Sequence, residues 1–158
     1  PEDVLEISKR GHEIGNHSST HPNMAKLSVD DITKELKGAE DAIVKITGKK
    51  PSVFRPPFGA YNNSLIETCE ANGYYVIQWD VDSLDWKEIT TEQIVDRVTR
   101  NVKPGSIVLF HNNAEHVEEY LPAILDKLKA EGYEIVPIGQ LIMKENYHMD
   151  HAGKQTAD

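Results

Sequence analysis

Apolar residues recur at helical spacing in one long segment, which predicts an amphipathic helix from Val29 to about Thr47. Residues three and four apart share a face of a helix. The apolar positions of this face are Ile32, Leu36, Ala39, Ile43 and Ile46. Ser28, with Asp31 three residues later, indicates the N-cap, and Gly48 indicates the end. We therefore expect one face of this helix to be buried.

The same kind of pattern predicts further helices, which are separated by short β-rich runs. The predicted helices are residues 64–71, a helix after the capping-box pair Thr90 and Gln93, an apolar stripe from Tyr120 to Leu128, and a short helix at 138–143. The predicted strands are residues 13–17, 53–55, 74–80, 106–111 and 133–137. Alternating strands and helices favour an α/β fold with parallel strands, either an open doubly wound sheet or a barrel.

The domain organisation follows from length and hydrophobic pattern. A chain of 158 residues with 39% hydrophobic composition is long enough for one domain with its own core. We assign residues 1–143 to this domain. Residues 144–158 have no apolar period, so we expect a loose polar tail there.

Charge and composition exclude some functions. A net charge of −9 and a pI near 5.2 argue against nucleic acid as a partner, because no basic surplus replaces the counterions of the phosphates. A neutral or cationic ligand suits the chain better. No run approaches the roughly 20 apolar residues of a membrane span. The single cysteine, Cys69, is interpreted as a small buried apolar residue.

Reactive side chains follow the predicted strands at one end. His17 follows the first strand, Arg55 the second, Asp82 and Asp85 the third, and His111 the fourth. In parallel α/β folds the loops after the strands converge on one mouth, which carries the active site. The sequence therefore predicts a functional site at this end.

The segment His17-Ser18-Ser19-Thr20-His21 places two imidazoles four residues apart. Both can bind one metal ion if the segment makes a helical turn. Two surface or packed histidines would give the same spacing. No Glu lies between them, so the His-Glu-x-x-His chemistry of metallopeptidases is disfavoured.

The segment Arg55-Pro56-Pro57-Phe58-Gly59 predicts a rigid turn, because two prolines fix φ and Gly59 permits positive φ. Such a turn would aim the Arg55 guanidinium into the mouth and leave a backbone N–H for an oxyanion. An ordinary tight loop is the alternative.

Three carboxylates and an indole lie just past the third strand, in Asp80 to Trp86. They could form a solvated acidic loop. Alternatively, one of the carboxylates could pair with the imidazole of His111, which follows the strand Ile107-Val108-Leu109-Phe110. An imidazole beside a carboxylate can act as a general acid. A hydrogen-bonded core histidine is the alternative.

Together, the ordered motifs His-Ser-x-x-His, Arg-Pro-Pro-Phe-Gly, Asp-x-x-Asp-Trp and Leu-x-His resemble those of the NodB-homology polysaccharide deacetylases, carbohydrate esterase family four. The resemblance runs from about Pro1 to Ile142. Residues 79–87 are especially similar to bacterial peptidoglycan N-acetylglucosamine deacetylases. The resemblance implies a distorted, incomplete (β/α) barrel of parallel strands with outer helices, missing its first strands.

The resemblance also implies residue roles. His17 and His21 would bind a divalent metal, for which Zn²⁺ is the first choice and Co²⁺, Mn²⁺ or Ni²⁺ are alternatives. Arg55 would line the groove and orient the base, and the Phe58 N–H would hold the oxyanion. The remaining roles fall to the third and fourth strand ends: Asp85 would pair with the catalytic acid His111, while Trp86 and Leu109 would wall the acetyl pocket.

The chain departs from the family pattern in one motif. Family members begin with a Thr-Phe-Asp-Asp-Gly type motif, whose first Asp is the general base and whose second is a metal ligand, and these residues contain no match. The resemblance implies that it lies upstream, so we expect this chain alone to release little acetate. A separate amino-terminal piece or a second copy would be the partner.

Three functions stay open. The first is deacetylation of an N-acetylated glycan, peptidoglycan or chitin-like, outside the cell or in its envelope. The second keeps the family but changes the substrate, as in an acetyl-xylan esterase. The third is a catalytically dead module that binds glycan or metal.

Overall fold

The computed structural model, which describes all residues from Pro1 to Asp158, contains six helices interspersed with six short strands. The helices are α1 Glu2–Lys9, α2 Val29–Thr47, α3 Asn63–Ala71, α4 Thr91–Asn101, α5 Val117–Ala130 and α6 Ile138–Leu141. The strands are β1 Val53–Phe54, β2 Tyr75–Val76, β3 Val81–Asp82, β4 Val108–Leu109, β5 Tyr147–Met149 and β6 Gln155–Ala157. The chain is therefore of the α/β class.

Two compact units make up the chain. The first unit comprises Pro1–Gln78 and Pro137–Asp158, and the second comprises Trp79–Val136. None of the helices combines the length and apolar character needed to cross a bilayer.

In the first unit, β1 and β2 pair in parallel, with Val53 opposite Tyr75. Asn16 adds a single parallel bridge to Phe54 on β1. The Asn16 N–H donates to the Val53 carbonyl at 2.9 Å, and the Asn16 carbonyl accepts from the Arg55 N–H at 3.0 Å. This bridge places the residue after Asn16 beside the end of β1. The buried core consists of Met24, Ile32, Leu36, Phe54, Leu65, Cys69 and Tyr74.

In the second unit, β3 and β4 pair in parallel, with Val81 opposite Val108 and Asp82 opposite Leu109. The strands and helices α4 and α5 share one apolar core. Its buried members are Val81, Ile94, Val98, Tyr120, Ile124 and Leu128. The apolar stripe predicted for residues 120–128 therefore faces this core.

The predicted helix boundaries are confirmed where the sequence carries capping residues. The Ser28 side chain accepts a hydrogen bond from the Asp31 N–H, and Gly48 ends α2 with φ 71°. Thr90 and Gln93 form the predicted capping box of α4. These side chains bond the N–H groups that a helix start leaves without partners, so they fix where each helix begins.

One strand prediction is wrong, and two others are confirmed only over a small part of their length. Residues 133–137 form no strand, residues 13–17 contribute only the Asn16 bridge, and the predicted strand at 74–80 is reduced to β2. Whether such a short run forms a strand depends on a neighbouring segment that supplies backbone hydrogen bonds. The apolar character of the run itself does not determine which segment that is.

The expected loose tail is also wrong, because β5 and β6 form an antiparallel hairpin. The Asp150 carboxylate accepts the N–H groups of Ala152 and Lys154, and Gly153 adopts φ 80°. The hairpin is also attached to Met143, whose N–H and carbonyl both bond the Gln155 side chain at 2.8 Å. An Asp with a Gly three residues later is a turn signal that the polar composition obscured.

Candidate functional site

The two motif histidines of the first unit lie side by side. The ring centroids of His17 and His21 are 4.9 Å apart with planes at 72°. They meet without a helical turn, because residues 17–21, which we call the histidine loop, are not helical. Ser18 and His21 instead adopt positive φ of 70° and 58°, and these two residues fold the loop so that the rings meet.

One His17 nitrogen is committed to the backbone. Its Nδ1–H donates to the Arg55 carbonyl at 2.6 Å, so Nε2 is the nitrogen that remains for a ligand. Burial lowers the pKa of His17, and the nearby charges of His21 and Arg55 lower this pKa further. Only the hydrogen bond to the Arg55 carbonyl acts in the opposite direction. A neutral imidazole with its second nitrogen fixed to a carbonyl is the form that binds metals, so His17 fits a metal site.

The ring of His21 connects the histidine loop to residues 56–60, which we call the proline turn. The His21 ring lies edge-on to the ring of Phe58, with centroids 4.7 Å apart. Phe58 is 69% exposed and has φ 61°, an uncommon conformation for a residue other than glycine. Such strain occurs most often at functional sites, which makes this turn a candidate part of one.

The proline turn uses two of its own N–H groups. Gly59 donates to the Pro56 carbonyl at 3.0 Å, and Ala60 donates to the Pro57 carbonyl at 3.2 Å. The Phe58 N–H donates to neither of these carbonyls. An N–H that is to bind an oxyanion must not be used within the turn, so Phe58 meets this requirement. Arg55 before the turn is half-buried, and burial lowers the pKa of its guanidinium.

In the second unit, Asp85 and His111 form the predicted pair. The Asp85 Oδ1 accepts from the His111 Nδ1–H at 2.8 Å, and Oδ2 accepts from the His111 backbone N–H at 3.0 Å. The side chain of Asp85 is completely buried, whereas that of His111 is 29% exposed. The predicted hydrogen bond is confirmed, and Nε2 is the nitrogen left for a substrate.

Tyr120 is a third member of this group that the sequence did not identify as functional. Its hydroxyl donates to Asp85 Oδ2 at 2.9 Å. Burial and the Asp85 carboxylate raise the pKa of Tyr120 to about 12, so it stays a donor. The pattern identified it only as core of α5, but a buried tyrosine hydroxyl needs a partner, and that was the available signal.

The hydrogen bonds keep Asp85 ionised despite its burial. Burial alone would raise the pKa of Asp85, but bonds from the His111 N–H and ring, Ser83 and Tyr120 together hold that pKa below its ordinary value. A buried carboxylate with several donors is stable as an anion.

The other predicted residues of the second unit surround this pair to different extents. The Trp86 ring lies 6.3 Å from the His111 ring, centroid to centroid, and is 51% exposed. Leu109 is buried on β4, with 7% exposure. Asp82 Oδ1 accepts the Leu84 N–H at 3.0 Å, so this carboxylate shapes the turn before Asp85.

One further group of possible metal ligands was missed by the sequence analysis. His116, Glu118 and Glu119 place ligand atoms within 4.8 Å of one another, and all three are exposed at the start of α5. It is the only group of three such residues in the chain, so His17 and His21 have no third protein ligand at this distance.

Comparison with known proteins identifies the family. Residues 1–77 match the profile described as Polysaccharide deacetylase. A peptidoglycan-N-acetylglucosamine deacetylase of Bacillus cereus is 33% identical over 144 residues, which cover 88% of this chain and 67% of that protein. The chain therefore belongs to the polysaccharide deacetylase family.

Two solved structures resemble the chain along most of its length. The peptidoglycan deacetylase PdaC of Bacillus subtilis superposes with a TM-score of 0.80 at 36% identity, covering 89% of this chain and 68% of that one. A CE4 family pseudoenzyme of Bacillus anthracis gives 0.84 at 34% identity, covering 89% of this chain and 50% of that one.

The chain is shorter than these relatives. The curated PdaC sequence, named a peptidoglycan-N-acetylmuramic acid deacetylase, is matched over 30% of its length. The chain thus spans from about a third to about two thirds of the relatives described here.

Proposed function

We propose that these residues belong to a hydrolase that removes the acetyl group from N-acetylglucosamine-containing polysaccharide, such as peptidoglycan, and releases acetate. The observation that carries this proposal is the buried Asp85, which holds the His111 ring through Nδ1 and leaves Nε2 available. The names of the relatives support a peptidoglycan substrate.

His111 is the general acid of the proposed reaction. Hydrolysis of an acetamide forms a carbon–oxygen bond from water and breaks the carbonyl carbon–nitrogen bond, and the departing amine nitrogen needs a proton. In its doubly protonated form, His111 gives that proton from Nε2 while Nδ1–H stays bonded to Asp85. The ionised Asp85 is the partner that a doubly protonated imidazole requires.

His17 and His21 are the proposed protein ligands of a divalent metal. Zn²⁺ suits two imidazoles best, and Co²⁺, Mn²⁺ or Ni²⁺ are alternatives. A bound divalent ion would supply Lewis acidity at the acetamide carbonyl. His17 fits this role because its Nδ1–H is held by the Arg55 carbonyl and its pKa is lowered.

The other predicted residues have supporting roles in the proposal. The Phe58 N–H donates to the oxyanion, Arg55 orients the base, and Trp86 and Leu109 enclose the acetyl group. The free Phe58 donor and the exposed Trp86 ring support these assignments.

The general base and a third metal ligand are proposed to come from a carboxylate pair outside these residues. The pair of histidines has no third ligand within reach in the chain. The carboxylate pair would come from an amino-terminal piece or a second copy.

In the same proposal, residues 1–143 form one catalytic domain built as an incomplete (β/α) barrel, which the parallel pairing of β1 with β2 and of β3 with β4 supports. We place the protein in the cell envelope or outside the cell.

A second candidate function is glycan or metal binding without catalysis. It is favoured by the similarity to a Bacillus anthracis protein that is described as a pseudoenzyme. An acetyl-xylan esterase would keep the chemistry but change the substrate.

Acetate release tests these alternatives. The protein that carries these residues should release acetate from N-acetylglucosamine oligomers faster than from acetylated xylan, and His111→Ala should reduce the rate by about 10²–10⁴-fold. Glu67→Ala, at an exposed position on α3, is the matched control. Glycan binding without acetate release would favour the binding module, and faster xylan deacetylation would favour the esterase.

A further inference from the structure

The backbone between the two motif histidines is held by side chains. The Ser18 N–H donates to the Asn16 carboxamide oxygen at 2.9 Å, and the His21 N–H donates to Ser18 Oγ at 2.9 Å. Neither bond belongs to a helix or a sheet. The shape of the histidine loop therefore depends on which side chains accept its N–H groups.

Glu35 on α2 holds the middle of the histidine loop. One carboxylate oxygen accepts the N–H groups of Ser19 and Thr20 at 2.9 and 2.8 Å, and the other accepts the Thr20 hydroxyl at 2.7 Å. Three hydrogen bonds to a single carboxylate fix both position and orientation, because bonds to an ionised acceptor are stronger than those between neutral groups.

The contact between α2 and the histidine loop is close. A Cβ at Gly38, three residues after Glu35 and on the same face of α2, would lie 2.9 Å from Ser19 Oγ. The Asn16 side chain also donates to the Leu36 carbonyl at 2.9 Å. One stretch of α2, residues 35–38, therefore contacts the histidine loop and the residue before it.

We propose that Glu35 is a positioning residue for the His17 and His21 metal pair, which it serves by holding the backbone between the two histidines. This inference rests on the proposed function, since it assigns Glu35 to the metal site named there. Glu35 does not bind the metal. It keeps Ser18 and His21 in the left-handed conformation that brings the two rings together.

The physical basis is preorganisation. A residue other than glycine is disfavoured at positive φ, so the loop would relax if its acceptor were removed. Metal binding would then have to order the loop again, and this ordering would weaken the affinity. Groups that orient metal ligands typically contribute about 10–100-fold to affinity.

Zn²⁺ titration of the 158-residue chain tests the proposal. The ring signals of His17 and His21 in NMR spectra report binding at this pair, so other histidines do not contribute. Glu35→Ala should weaken Zn²⁺ binding by about 10–100-fold. Glu35→Gln keeps one acceptor oxygen and should fall between Glu35→Ala and the unchanged chain. Glu67→Ala, at an exposed position on α3, should bind as the unchanged chain does.

Amide hydrogen exchange separates positioning from folding. Exchange at Ser19 and Thr20 should become faster in Glu35→Ala, while protection of the β1 and β2 amides and the unfolding midpoint stay close to those of Glu67→Ala. Unchanged Zn²⁺ affinity in Glu35→Ala would overturn the proposal, and so would unchanged exchange at both amides. If the unchanged chain shows no Zn²⁺ shift of either histidine, the proposed metal site is wrong. The exchange data and the His17 and His21 ring shifts without metal would then still decide whether Glu35 positions the loop.

Discussion

Asp85 accepts two hydrogen bonds from His111, one from the backbone N–H at 3.0 Å and one from the ring Nδ1–H at 2.8 Å. The two bonds fix both the strand end and the ring, so the imidazole has little freedom to rotate. Tyr120 donates a third hydrogen bond, to Asp85 Oδ2. This arrangement presents His111 Nε2 in one orientation, as proton donation to a leaving amine requires.

In the protein that carries both these residues and the proposed carboxylate pair, Asp85→Asn should lower the rate of acetate release by about 10²–10⁴-fold. The amide removes the negative charge beside Nδ1 and brings an NH₂ donor against the donors of His111 or Tyr120. Losing a buried acceptor also costs about 1–3 kcal/mol of unfolding free energy. Steady-state kinetics and urea denaturation would measure the two effects. An Asp85→Asn protein with full activity would exclude His111 as an acid oriented by Asp85.

Tyr120→Phe should have a smaller effect than Asp85→Asn. It removes one of the donors that lower the pKa of Asp85, so that pKa should rise toward its ordinary value. The ionised carboxylate of Asp85 is lost as pH falls through its lowered pKa. In Tyr120→Phe this loss should therefore begin at a higher pH. The acidic limb of a pH–rate profile measures this shift. An unchanged limb together with unchanged stability would show that the Tyr120 hydrogen bond does not influence Asp85.

Glu40→Gln should reduce stability at neutral pH and have little effect near pH 2. Although burial acts in the opposite direction, hydrogen bonds from Tyr74, Lys37 and Lys50 lower the pKa of Glu40 from 4.5 to about 2. The ionised carboxylate therefore stabilises the fold above about pH 4.5, and this contribution is lost as pH falls toward 2. We expect a difference on the order of 1–3 kcal/mol at neutral pH. Denaturation of both proteins as a function of pH would measure it, and a difference that does not depend on pH would contradict this account.

Gly38→Ala should have opposite effects on α2 and on the histidine loop. Alanine favours a helix interior over glycine by about 0.5–1 kcal/mol. The added Cβ would lie 2.9 Å from Ser19 Oγ and 3.2 Å from Ser19 Cβ, so the Ser19 side chain must move and the histidine loop is displaced with it by a small amount. Zn²⁺ binding at His17 and His21 should weaken even if the unfolding midpoint rises. Equal loss of stability and affinity would point to general damage instead.

The sequence predicted the long and capped elements well. α2 carries five apolar positions at helical spacing and an N-cap serine, so local information suffices. The strands are two or three residues long, and such short runs carry little periodicity. The β5–β6 hairpin was missed because its contacts to Met143 are made by a polar side chain.

The site was predicted in residue types but not in backbone geometry. The nearness of His111 to a carboxylate of residues 80–86 followed from their positions after two strands, whereas the choice of Asp85 came from the family resemblance. The loop conformation at Ser18 and His21 could not be derived from the spacing of two histidines, because it depends on Glu35 from a distant helix. The role of Tyr120 was missed because its position in the apolar stripe of α5 already explained it as a core residue.

Acetate release from N-acetylglucosamine oligomers by the purified, mass-verified 158-residue chain shows whether the general base lies outside these residues. We expect little or no acetate from the chain alone. A polypeptide carrying the Thr-Phe-Asp-Asp-Gly type motif should restore acetate release and tight Zn²⁺ binding together, because one Asp would serve as base and the other as ligand. Chelator-sensitive deacetylation by the chain alone, or no acetate after the motif is supplied, would contradict the proposed function.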